Sequence, residues 1–220
     1  MEIFNENNKK TACIIFNILL FICVGTGLAL IIIKFDLLSA LFYFTVQSNI
    51  LCMIMAGITL VYAIKKNKSK NGAYVFFKGM ALVSILLTFF VYNFILKPFV
   101  NDQSEPLYSI LLHLVVPLMM LGDYLFFEEK VNFKIWYPFG WALFPVFYAG
   151  FIALYNLGGL YKLFGDTSVK FPYFFLDYQT YGLVKVGLWV LLIAACFIAF
   201  SFLLLVFNNI LLRRKINKTC

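Results

Sequence analysis

At 220 residues the chain has the length of one soluble domain, but 63% hydrophobic content, 20% aromatic content and 13% charged residues leave too little polar surface for one. The composition is that of a membrane protein. A net charge of +8 does not point to nucleic acid, because the basic residues stand in short runs beside apolar segments and form no surface interleaved with aromatics. They read as topology signals and contacts with anionic lipid.

Six apolar runs near twenty residues divide the chain, at about 12–33, 38–64, 74–96, 107–127, 136–155 and 182–212. The first is too long for the core of a signal peptide and lacks an obvious cleavage site, so it is expected to stay as a helix. The last is long enough to tilt or to project beyond the bilayer. The expected fold is all-α: one polytopic six-span transmembrane domain over residues 1–220. With the N-terminus taken as cytoplasmic, thirteen of the 18 basic residues fall on the inner side and five (Lys34, Lys97, Lys162, Lys170 and Lys185) on the outer. That bias and the even number of spans place both termini inside. Residues 156–181, rich in Phe and Tyr, are expected to rest at the outer interface or to fold back as an aromatic cap. A multi-pass protein of the cell membrane follows, with lipid as its surroundings. No signature of a particular oligomeric state is present.

Five cysteines lie mostly inside apolar runs and form no C-x-x-C pair. Neither a disulfide framework nor a zinc site is indicated. The chain carries no P-loop, dinucleotide fingerprint, HExxH or GxSxG. No metal and no cofactor is expected.

Polar side chains inside the spans are the informative ones, since each is costly in hydrocarbon unless it has a partner or lines a site. FTVQSN, residues 44–49, sets Thr45, Gln47, Ser48 and Asn49 in the second span, and LLHLVVP sets His113, the sole histidine, in the fourth. Counted from the outer ends of their spans, Thr45 and His113 lie at similar depth, roughly 10 Å down at the helical rise. Thr45, Ser48, Asn49, Cys52 and Ala56 share one helix face, and His113 shares one with Pro117, Met120 and Tyr124. Pro117 lacks the N–H that would bond the His113 carbonyl, which leaves that group open. Tyr92 and Asn93 fall near the same depth in the third span.

If the two side chains meet, a neutral imidazole can take the threonine proton and make the hydroxyl a nucleophile. Asn49 or a tyrosine hydroxyl could then donate to a developing oxyanion. The bland alternative is a threonine bonded to its own helix and a histidine that is only a satisfied interior residue. Asp123 in LGDYLFF has two readings: a proton or ion path, or a packing pair with Lys78 or Lys134 at the inner end. Asp177 either orients His113 or caps the last helix, and the cap is the simpler role. Trp136, Trp141 and Trp189 read as an interfacial belt.

Together, FTVQSN, LLHLVVPLMMLGDYLFF, WYPFGWALF and FPYFFLDYQTYG resemble the motifs of a bacterial family of six-pass integral membrane proteins. That family is distantly similar to the eukaryotic androgen-induced and androgen-dependent TFPI-regulating proteins. The bacterial resemblance implies no settled substrate; the distant eukaryotic similarity implies a hydrolase of fatty acid esters of hydroxy fatty acids, with a threonine nucleophile and a histidine base that map to Thr45 and His113. The expectation taken forward is a lipid-ester hydrolase acting on a fatty-acyl ester, with Thr45 and His113 catalytic and Ser48, Asn49 and Asn93 binding substrate. A small-solute or proton-coupled transporter and a non-catalytic scaffold are the alternatives.

Overall fold

A computed structural model describes residues 6–65, 71–99, 105–157 and 171–219. All regular structure among them is helical, and six helices are long and apolar enough to cross a membrane: Asn7–Phe35, Phe44–Ile64, Gly72–Leu96, Leu107–Phe126, Tyr137–Asn156 and Tyr178–Arg214. The protein is an all-α, multi-pass membrane protein. It divides into two compact units, one of residues 1–34 and 45–129, the other of residues 35–44 and 130–220.

The first unit holds α1 (Glu6–Phe35) up to Lys34, α3 (Phe44–Ile64) from Thr45 onward, α4 (Gly72–Phe90) and the fourth span. Asn71 starts α4 by accepting the Tyr74 N–H at 2.8 Å, one of the donors a helix cannot satisfy itself. Helices in lipid gain little from excluding water and depend on close backbone approach, so small residues mark the contacts. Gly27 faces the side chain of Leu112 so closely that a Cβ there would stand 2.6 Å from its Cδ2. Ala56 and Ala81 are wholly buried, and Leu20, Val24, Ile85, Val116 and Met120 fill the space between.

Two stretches in this unit are wound wider than an α-helix. Val91–Leu96 extends α4 as π-helical turns, and Leu111–Val115 does so between α5 (Leu107–Ile110) and α6 (Val116–Phe126). The second lies where Pro117 removes the bond to the His113 carbonyl, a local cause for the altered winding. These stretches carry Tyr92, Asn93 and His113.

In the second unit α2 (Leu37–Leu41) precedes α3, and α7 (Tyr137–Leu157) packs with α8 (Tyr178–Thr219). The second span, expected to run unbroken from residue 38, is interrupted at Phe42 and Tyr43. The break has a cause: the Phe42 carbonyl accepts the Tyr148 hydroxyl at 3.0 Å, and the Phe42 ring seats edge-on against Tyr155 at 4.4 Å. Asp36 opens α2 at φ 64°, its carboxylate accepting the Ser39 N–H at 2.9 Å. That bond holds the Asp36 carboxyl below its ordinary value.

The expected aromatic cap falls partly on residues 158–170, outside the described residues. Its described part is a short turn, Phe174–Leu176, in which Tyr173 stacks on Phe175 at 5.1 Å and Phe174 and Phe175 meet Trp189. The last span is kinked near its start, where Gly182 leaves the helical conformation at φ 78° and ψ 154°, a conformation open to glycine. A short turn, Tyr178–Tyr181, precedes it, and the long helix follows from the expected position.

Candidate functional site

Thr45 and His113 come together within the first unit, Thr45 Oγ1 standing 3.2 Å from His113 Nε2. The helix that brings Thr45 there is not the unbroken one expected. Because the second span is interrupted, Thr45 is the second residue of α3, whereas His113 lies six residues past the start of the fourth span at Leu107. Thr45 is thus in the first helical turn, where the backbone dipoles present their positive end. Both side chains are buried, with 5% and 9% of each residue exposed.

The far side of the imidazole settles which nitrogen carries the proton. His113 Nδ1 lies 3.0 Å from the Ser109 carbonyl oxygen and 3.3 Å from Ser109 Oγ. A carbonyl can only accept, so Nδ1 bears the hydrogen and Nε2 turns a lone pair toward Thr45. Tyr92 covers one face of the ring, stacked at 3.7 Å between centroids and 15° between planes. Neither the Ser109 carbonyl nor the Tyr92 ring was expected to orient the histidine. Ser109 stands four residues before His113, the spacing that brings side chains together on a helix, and that spacing was the available signal.

The three residues expected to bind substrate serve the pair from behind. Asn49 Nδ2 donates to the Thr45 carbonyl at 2.8 Å and to the Leu112 carbonyl at 3.2 Å, which ties α3 to the residue preceding His113. Both its amide hydrogens are taken up, so the expected donation to an oxyanion is not available in this arrangement. Its Oδ1 is buried with no hydrogen-bond partner. Ser48 Oγ contacts Thr88 Oγ1 at 2.9 Å and donates to the Thr45 carbonyl at 3.0 Å. Asn93 Nδ2 donates to the Phe89 carbonyl at 2.8 Å and the His113 carbonyl at 3.3 Å, filling the place that Pro117 leaves vacant.

A second polar level lies toward the other end of the same unit. Asp123 is fully buried, with Lys78 Nζ 2.6 Å from Oδ2 and Asn17 Nδ2 donating to Oδ1 at 2.7 Å. The Lys78 contact is an ion pair without the alignment of a good hydrogen bond. Lys78 also donates to Thr59 Oγ1 at 3.0 Å, and Tyr74 bridges Thr59 to Glu128 with two contacts of 2.9 Å. Of the two partners expected for Asp123, Lys78 is the one it takes. Asn17 was missed, although an asparagine inside the first apolar run was its own signal. Ten residues separate His113 from Asp123, about 15 Å along a helix, and Met55, Ile85, Val116 and Met120 are buried at intermediate positions of the helices.

In the second unit Asp177 caps α8, accepting the N–H groups of Gln179 and Thr180 at 3.0 and 3.1 Å. Among the described residues no group of three or more His, Cys, Asp or Glu side chains could hold a metal ion. Compared with protein-family models, curated proteins and solved structures, the chain matches none.

Proposed function

We propose that the protein is an intramembrane hydrolase of long-chain esters, with Thr45 as nucleophile and His113 as general base. One observation carries the reading: Thr45 Oγ1 lies 3.2 Å from His113 Nε2 while the opposite nitrogen faces the Ser109 carbonyl. That is the relation a hydroxyl nucleophile needs to its base, and the base to whatever orients it. The four motifs resemble a bacterial six-pass family that is distantly similar to threonine-dependent lipid hydrolases, which supports the reading, as does the position of the pair inside a span, where acyl chains already reside.

In this mechanism Thr45 Oγ attacks the ester carbonyl carbon as its proton passes to His113 Nε2. The carbonyl electrons move to oxygen, beside the positive end of α3. The intermediate then collapses: the carbon–alkoxy bond breaks, the alkoxide takes the proton from Nε2, and the acyl group stays on Thr45. Water attacks that acyl group with His113 again as base, releasing the fatty acid and restoring the hydroxyl. Asn49 and Asn93 hold the backbones on which the two groups stand.

The transporter reading has less support. Asp123 has Lys78 and Asn17 as partners, and a path joining the two polar levels would have to pass the buried Met55, Ile85, Val116 and Met120. The basic-residue bias supports cytoplasmic termini and a place in the cell membrane.

The test is reaction of the purified protein in bilayers with a fluorophosphonate and with a long-chain p-nitrophenyl ester. Thr45→Ala is expected to abolish both labelling and turnover, and His113→Ala to lower them by about 10²–10⁴-fold, the range for a lost general base. Equal labelling of wild type and both variants would refute the assignment.

A further inference from the structure

Beyond His113 the hydrogen bonds continue outward, and all of them run in one direction. With Nδ1 protonated, its hydrogen points at Ser109, whose hydroxyl oxygen lies 3.3 Å away and whose carbonyl lies 3.0 Å away. Ser109 Oγ in turn donates to Tyr92 Oη at 2.6 Å. Tyr92 Oη donates to Glu105 Oε1 at 3.4 Å, a long final link. Glu105 is held by Lys97, whose ammonium lies 2.7 Å from the same oxygen. That contact keeps the Lys97 ammonium above its ordinary value. Ser109 is buried, while the Glu105 side chain is 29% exposed. A carboxylate at the edge of the unit is therefore connected, through two hydroxyls, to the nitrogen of the base that faces away from the nucleophile.

We infer that Glu105 is a positioning residue for His113, acting through Tyr92 and Ser109. The inference rests on the hydrolase reading and adds the acidic member that the Thr45–His113 pair lacks. In a triad a carboxylate bonds the imidazole directly, fixes its tautomer and stabilises the imidazolium formed in the reaction. Here the same work is divided. The Ser109 carbonyl fixes the tautomer, the Tyr92 ring fixes the plane, and the negative charge acts at one remove along aligned O–H dipoles that strengthen one another. No proton travels the chain. Nδ1 keeps its hydrogen throughout, and only the polarisation of the links changes as Nε2 gains the threonine proton.

Because His113 is the only histidine, labelling the full chain with ¹⁵N-histidine gives the ring signals of this residue alone. In bilayers the wild type is expected to show a protonated Nδ1 and an unprotonated Nε2. The Nδ1–H proton signal should shift in the same direction in Tyr92→Phe, which keeps the ring, and in Glu105→Gln, which keeps the shape. A protonated Nε2, or an Nδ1–H signal that neither variant moves, would overturn the inference. On the p-nitrophenyl ester each variant is expected to lower kcat about tenfold with little change in KM, the scale of one charge-assisted hydrogen bond. The double variant should be no slower than Tyr92→Phe, since a broken chain no longer feels its end. Unchanged kcat in both single variants, or losses that multiply in the double, would also overturn it. Thr45→Ala separates the two levels of argument: if it turns over like wild type the hydrolase reading fails, while the Nδ1–H signal still reports on the relay.

Discussion

Removing Lys78 leaves a buried carboxylate without its counterion. Asp123 is wholly buried and Lys78 is 3% exposed. In Lys78→Met the carboxylate keeps only the Asn17 amide at 2.7 Å and loses the ammonium at 2.6 Å. Breaking one side of a buried ion pair costs about 3–5 kcal/mol, because the surviving charge is left without its counterpart. Asp123→Leu should cost a similar amount, with the ammonium left to Thr59. Replacing both together removes the charges as well as the attraction. Lys78→Met/Asp123→Leu is then expected to lie within about 1–3 kcal/mol of wild type, the remaining cost being one Asn17 N–H left without its acceptor while the Cys13 carbonyl still accepts from that amide. The assay is reversible unfolding in mixed micelles by increasing SDS, followed by helical circular dichroism, for the wild type, both single variants and the double. The reasoning is refuted if Lys78→Met unfolds within about 1 kcal/mol of wild type, or if the double variant is as unstable as the two single losses combined. Either result would mean that the pair is solvated or mobile.

Gly27→Ala should destabilise by about 1–3 kcal/mol in the same titration, because the new methyl would fall 2.6 Å from Leu112 Cδ2 and 2.9 Å from its Cγ. Turnover should fall with it, since the Leu112 carbonyl is one of the acceptors that anchor Asn49. Gly25→Ala, where the methyl meets nothing within 4 Å, is the control and should be neutral or slightly stabilising, as helix propensity favours alanine. At the start of α8, hydrogen bonding with Thr180 and Gln179 holds the Asp177 carboxyl below its ordinary 3.8. A lowered carboxyl stabilises the fold above its ordinary value and loses that contribution as pH falls through the lowered one. Amide-exchange protection of Gln179 and Thr180 should therefore drop as pH is brought below 3.8, and in Asp177→Asn it should not depend on pH in that range.

Hydropathy made the six spans legible, and it did so because a bilayer demands a run of fixed length whatever the details of packing. Span ends were less legible. The interruption at Phe42 and Tyr43 depends on a tyrosine hydroxyl more than a hundred residues away, which takes a carbonyl that a continuous helix would use. No local pattern announces that. Thr45 and His113 stood out as polar groups in apolar surroundings, placed at a depth that permits contact. The two helices expected to carry them were drawn as uniform, whereas one is interrupted at Phe42 and Tyr43 and the other widens at Leu111–Val115. Ser48, Asn49 and Asn93 were expected to bind substrate, but a sequence does not reveal how a side chain spends its donors. All three spend theirs on backbone carbonyls of the site helices. Glu105 escaped notice because it lies in the polar connection before the fourth span, where an acidic residue is unremarkable until its partners are known.

The wide turns at Leu111–Val115 separate the angular phase of the two ends of the fourth span. On a uniformly wound helix each residue sits 100° from the last, so the direction faced at one end dictates the direction faced at the other. A wider turn between them shifts that relation by a set amount. His113 and Asp123, on one span, can therefore each face their own partners, Thr45 and Lys78.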